Sequence, residues 1–315
     1  MDDQARSASV GLSSAQTSAR RGAVVFGFDS AWVDNPRAPG AICAIGFDDA
    51  AAPRFVAPQL VGFEEALAFI EAERRGHRLC LVALDQPSIV ANAIGCRPPE
   101  RVAGAVISFI GGGVQPANRG KAAMFGDAAP IWRFLEGLGA LQDPMAVPEA
   151  EAGLFLIEVF PALALPGFEP AFAGRLGAPK YNPGNRRRFR LTDWQAVTAT
   201  VARVATTLNV TPMVRWAEAM TAIEVPRKAD QDRLDAAICA LVGLTWRDGG
   251  WPAAMIGDLE RGFIIAPVSE PTWARMERAA REKQVPLVLR EATPSRLDAA
   301  SRKVAECPCA RAYPF

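Results

Sequence analysis

Apolar positions in this chain come in short unbroken runs, and three of these runs meet an acid at or near their end. Val24-Val25-Phe26-Gly27-Phe28 leads to Asp29, Leu81-Val82-Ala83-Leu84 leads to Asp85, and Phe155-Leu156-Ile157 leads to Glu158. Runs without polar alternation read as strands covered on both faces. The pattern predicts strands over Ala23–Asp29, Ala41–Phe47 and Leu79–Asp85, a weaker one over Arg54–Val56, and further strands over Leu154–Phe160 and Gly262–Pro267. Helical spacing predicts helices over Phe63–Arg75, Glu100–Phe109, Ala129–Leu138, Asp193–Leu208, Asp232–Trp246 and Pro271–Lys283. Gly76, Pro87 and Pro161 punctuate the elements, and Asp48-Asp49 marks a turn. Strands alternating with helices imply an α/β protein whose sheet is covered on both faces, with its site at the strand ends.

Residues 1–22 carry no apolar period and read as a disordered tail. Residues 291–315 form a similar C-terminal tail, which leaves a single domain over 23–290. The 35 basic and 34 acidic residues give a net charge of +1, so no global basic field marks the surface, and an anionic partner needs a local patch. One histidine, His77, placed in a loop, makes imidazole-based triads and zinc sites improbable. The six cysteines show no disulfide framework: Cys43, Cys80 and Cys239 read as buried hydrophobes, and Cys307-Pro308-Cys309 lacks a second pair for zinc. No signal core or membrane-length run is present, which fits a reducing, cytoplasmic setting.

The acids carry the candidate chemistry. A carboxylate at the end of a buried strand is costly without a partner or a metal. Asp29, Asp85, Glu158 and Asp235, with Asp232 one helical turn before Asp235, form a set of hard oxygen ligands suited to Mg²⁺ or Mn²⁺. Such ions can activate water against a phosphodiester without any histidine. Turn-capping roles for Asp29 and Asp85, and an arginine partner for Glu158, are the alternatives. Between Arg175 and Arg190 lies a cationic segment with Lys180, Arg186, Arg187 and Arg188, suited to nucleic-acid phosphate. Arg119 and Lys121, after Gly111-Gly112-Gly113, are weaker candidates. The glycine run lacks a phosphate-loop context and reads as a mobile loop. Trp32 either stacks a base, walls the site or anchors the core, while the tryptophans on or beside helices belong to packing.

Several blocks carry a resemblance. Gly27-Phe28-Asp29-Ser30-Ala31-Trp32, Ala83-Leu84-Asp85-Gln86-Pro87, Ile157-Glu158-Val159-Phe160-Pro161 and Asp232-Arg233-Leu234-Asp235-Ala236-Ala237 resemble successive blocks of the predicted RNase H-like nucleases, a domain-of-unknown-function family (number 429). Lys180-Tyr181 is similar to a lysine block between the third and fourth acids there, and Gly257 through Pro267 is similar to the C-terminal strand region. The resemblance spans roughly residues 23–270. It implies an RNase H-like fold, a mixed five-stranded central sheet flanked by helices with helical insertions. It also implies a divalent-metal-dependent nuclease in which Asp29 is the central ligand, joined by Asp85, Glu158 and Asp235. Phe160 stands where the family often has histidine, and Gln86, expected at the mouth of the site, stands where many members have isoleucine. A catalytically inactive binding or scaffold protein, or a nucleotide-hydrolysing or sugar-kinase-like member of the fold group, are the competing readings. Ser30-Ala31-Trp32 is bulky for the phosphate turn that the last of these needs.

Overall fold

The computed structural model describes residues 22–48 and 52–292. The expected tails, apart from their innermost residues, lie outside the described residues, as do Asp49 of the expected turn, Cys307 and Cys309. The chain runs β1 (Ala23–Asp29), β2 (Gly40–Phe47), β3 (Arg54–Val61), α1 (Phe63–Glu73), β4 (Leu79–Leu84), α2 (Pro98–Phe109), α3 (Ala122–Phe125), α4 (Pro130–Leu138) and β5 (Gly153–Glu158). It continues through α5 (Pro161–Phe168), α6 (Leu191–Thr207), α7 (Thr211–Thr221), α8 (Lys228–Asp248), β6 (Ala253–Asp258), β7 (Gly262–Pro267), α9 (Glu270–Lys283) and β8 (Leu287–Arg290).

The first five strands form one mixed sheet in the order β3-β2-β1-β4-β5. β1 pairs antiparallel with β2 and parallel with β4, which pairs parallel with β5. β3 runs longer than its apolar pattern predicts and contains Pro58; as the edge strand it tolerates the missing donor. β6, β7 and β8 build a second sheet in the order β7-β6-β8, and a parallel bridge from Val159 to Ile265 links it to the end of β5.

Successive strand residues point to opposite faces, so each central strand feeds two cores. Val25, Leu81, Ala83 and Ile157 pack into one core with α8 and α6; Val24, Phe26, Val82 and Leu156 pack into the other with α1 and α4. A third core joins α2 and α9 to the second sheet. Trp194 and Trp246 are fully buried, in keeping with a packing role.

α8 fixes the geometry of the site. It lies directly on β1, where a β-carbon on Gly27 would overlap the Ala236 carbonyl oxygen and the Ala240 amide nitrogen. No larger residue permits that approach. The helix begins at Lys228, earlier than its apolar pattern suggests, so Asp232 and Asp235 lie inside its first two turns.

Candidate carboxylate site

Strand register decides which acids meet. Phe28 of β1, Leu84 of β4 and Glu158 of β5 are aligned across the parallel strands. Asp29 and Asp85 follow Phe28 and Leu84 by one residue and so turn to the opposite face, the one covered by α8. The Asp85 amide donates to the Phe28 carbonyl at 2.8 Å, which extends the pairing by one step. On β5 the position after Glu158 is Val159, a buried member of the α8-facing core. Asp29 and Asp85 therefore share a face and an edge, and α8 brings Asp235 to them.

These three acids repel one another. Burial holds the Asp29 carboxyl well above the ordinary range, with Asp235 and Asp85 adding to the rise and Lys228 opposing it. Asp85 is raised for the same reasons, by burial, then by Asp235 and Glu158. Asp235 is pushed up to about 6 by burial, restrained by the Tyr181 hydroxyl, by Lys228 and by Gln231. Tyr181 Oη donates to Asp235 Oδ1 at 2.7 Å, and Gln231 Nε2 donates to Oδ2 at 2.9 Å. Both carboxylate oxygens are thus oriented. Asp232 stands at the lip of the site, paired with Lys228 one turn earlier.

Glu158 lies apart from the trio. Arg97, almost wholly buried, donates to both of its oxygens, Nη1 to Oε2 at 2.8 Å and Nη2 to Oε1 at 2.5 Å. The same guanidinium reaches Glu100 through Nε at 2.8 Å and the Ile89 carbonyl at 2.9 Å. Burial raises Glu158, and Arg97 pulls it back. The expected ring of four acids is therefore three acids on one face and a fourth held in an ion pair on the other, close enough to be felt at Asp85.

A cleft of about 580 Å³ opens over Asp29, lined among others by Trp32, Arg37, Gln115, Lys228 and Asp232. Trp32 adopts a left-handed backbone, φ 52°, and its Nε1 donates to the Asp85 carbonyl at 3.0 Å. Its ring meets Phe125 edge-on, so it serves as a wall. Gln86 is fully buried beneath the mouth: its amide donates to the Trp32 carbonyl at 3.2 Å and its oxygen accepts from Ser30. It shapes the turn after β1.

The cationic segment is divided. Arg186, Arg187 and Arg188 are exposed on the loop before α6. Lys180 is held by the Gly111 carbonyl at 3.0 Å, and Arg188 lines a second cavity with it. Arg119 sits over Trp132 and pairs with Asp127. His77 occupies the loop before β4 and meets Asp48 at 2.8 Å. Among the described residues no group of three or more His, Cys, Asp or Glu side chains is already arranged to hold a metal ion. The donor set itself suits one: three carboxylates without bound protons would carry more charge than Lys228 offsets, and hard oxygen donors in that state match Mg²⁺ or Mn²⁺. Glu158 does not join this fit, because it lies on the opposite strand face and a charged guanidinium already neutralises it.

Lys228, Tyr181 and Gln231 complete the site, Arg97 holds Glu158 away from it, and the strand-end pattern marks none of the four as part of the acid cluster. Lys228, Asp232 and Asp235 at i, i+4 and i+7, and Gln231 four residues before Asp235, were the available signals. Arg97 and Glu100, in a proline-bounded segment, offered none.

The fold and site define an α/β protein with a carboxylate cluster at the ends of adjacent parallel strands. The chain belongs to the family described as "Protein of unknown function (DUF429)", whose model matches residues 28–259, a stretch containing every acid of the cluster. No curated protein and no solved structure matches the chain.

Proposed function

We propose that this protein is an RNase H-like, divalent-metal-dependent phosphodiesterase acting on nucleic acid in a reducing, cytoplasmic setting. The observation that carries this reading is the trio Asp29, Asp85 and Asp235, drawn onto one face and each raised by burial, with Asp235 adding to the rise at Asp29 and Asp85. Asp29 lines the cleft with the other two acids buried behind it, and perturbed carboxylates at a cleft are a mark of functional sites. These three would hold Mg²⁺ or Mn²⁺, with Asp232 available at the lip. The ion would supply an activated water and neutralise charge on the departing oxygen. Tyr181 and Gln231 fix the two Asp235 oxygens, so that the carboxylate presents one orientation. Lys228 and Arg37 place positive charge in the cleft, where a phosphate would lie. Trp32 closes one side.

The test is cleavage of single- and double-stranded DNA and RNA by the purified protein with Mg²⁺ or Mn²⁺. Asp29→Asn is expected to lower the rate by more than about 100-fold, beyond the usual effect of removing a ligand's supporting partner. Cleavage that survives chelation or this substitution overturns the reading. A binding protein without turnover is the second reading, favoured by Phe160, which packs against the apolar core of the second sheet and offers the acids no polar group. It requires salt-sensitive nucleic-acid binding with no cleavage in any metal.

A further inference from the structure

A cavity of about 290 Å³ lies beside the acid cluster and shares its wall. Tyr181 and Gln231, which hold the two oxygens of Asp235, both line it. Its apolar surface comes from Ile107 and Ile110 at the end of α2, Ala162 and Leu165 of α5, and Phe189. Lys180, Asn182, Asn185 and Arg188 bring polar groups and positive charge. The glycine run forms another side. Gly111 has a left-handed φ of 82°, its carbonyl pins the Lys180 ammonium at 3.0 Å, and a side chain there would crowd Leu176 and Lys180.

Two features of the lining select the occupant. Asn182 and Asn185 offer side-chain amides that can meet the polar edge of a ring. The Lys180 pKa is lowered by partial burial and by Arg188, so an anion there would relieve the crowding of positive charge. An acyl chain would use the apolar surface and leave the amides and the cations unmatched. A flat heterocycle bearing N–H groups and a phosphate uses both, and the volume lies at the small end for ligand pockets.

We infer that this cavity is a binding site for a nucleoside monophosphate unit, the ring against Ile107, Ile110 and Leu165 and the phosphate at Lys180 and Arg188. That the unit is one nucleotide of the substrate, placed beside the scissile phosphate, rests on the phosphodiesterase reading above. Occupancy of the cavity itself does not.

The experiment is calorimetric titration of the full chain with AMP, CMP, GMP and UMP and their nucleosides, in chelator. Saturable binding of at least one monophosphate is expected. Ala178→Trp, which fills the cavity, should abolish it. Arg188→Ala, on an exposed side chain, should weaken the monophosphate by about tenfold or more and leave the nucleoside unchanged. Glu64→Gln, an exposed change on α1, should bind as the parent does. Absence of saturable binding, binding indifferent to both cavity variants, or binding lost in Glu64→Gln overturns the assignment. Binding that follows the expected pattern in a protein that cleaves nothing keeps the assignment and overturns only the catalytic reading.

Discussion

Arg97 and Glu158 illustrate at the residue scale how one guanidinium changes the role of an acid. Arg97 satisfies Glu158, reaches Glu100, and through Glu100 ties the Ala117 amide at 2.9 Å. Removing one member of a buried pair leaves the other charged and unpaired, so Arg97→Met should cost about 3–5 kcal/mol in denaturant unfolding. Glu158→Gln, by contrast, should lower metal-dependent cleavage by less than about tenfold, against the far larger loss for Asp29→Asn. Equal losses for the two would return Glu158 to the ligand set. The sequence makes Glu158 look equivalent to Asp29 and Asp85, because an acid at the end of an apolar run carries no mark of its face. Only the register, with Glu158 opposite Leu84 and Phe28, separates them.

The element scale is governed by the seating of α8 on β1. Gly27→Ala would force the strand and the helix backbone apart, and two rigid elements cannot yield as a side chain can. An overpacking cost of about 3 kcal/mol or more is expected, with a lower melting temperature and weakened metal binding. Gly104→Ala in α2 is the control: a methyl there meets nothing within 4 Å, and the substitution should stabilise by about 0.5–1 kcal/mol. The central strands and the long helices were readable, because an unbroken apolar run or a sustained helical spacing has few other solutions. β6 was missed as an element because Ala253-Ala254 is weak strand sequence. α5 was missed because Pro166 sits inside it, and α7 because its apolar face is short. The second sheet went unpredicted for the same reason, since only β7 announced itself.

For the whole molecule, the raised acids tie stability to pH. A carboxyl raised in the folded state binds its proton more tightly there than in the unfolded chain. Its contribution is complete at pH below the unfolded value and is lost as pH rises through the folded one. Asp29, Asp85, Asp235 and Glu158 all shift in this direction, while the lowered Asp258 sits near the surface and opposes them weakly. The metal-free protein should therefore melt a few degrees higher at about pH 5 than at about pH 7, since about 1 kcal/mol moves the midpoint by about 2–4 °C for a domain of this size. Mg²⁺ should raise the melting temperature at pH 7 and much less at pH 5, where Asp235 holds a proton. A metal-free melting temperature that climbs from pH 5 to pH 7 would contradict the coupling of the trio.

Lys228 gives the site a further property. Its ammonium, tied to Asp232 by a short stretch of helix, already acts as a counter-ion to Asp29 and Asp235. A divalent ion entering from solution would not fill a bare anionic hole; it would compete with a cation that the protein cannot release. Loading is then an exchange, in which the gain from the new ion is reduced by the charge that Lys228 had already cancelled. A neutral residue at 228 would make the site greedier for metal and slower to give it up; on the metal-dependent reading this lysine would be a ballast that keeps occupancy responsive to the free concentration outside.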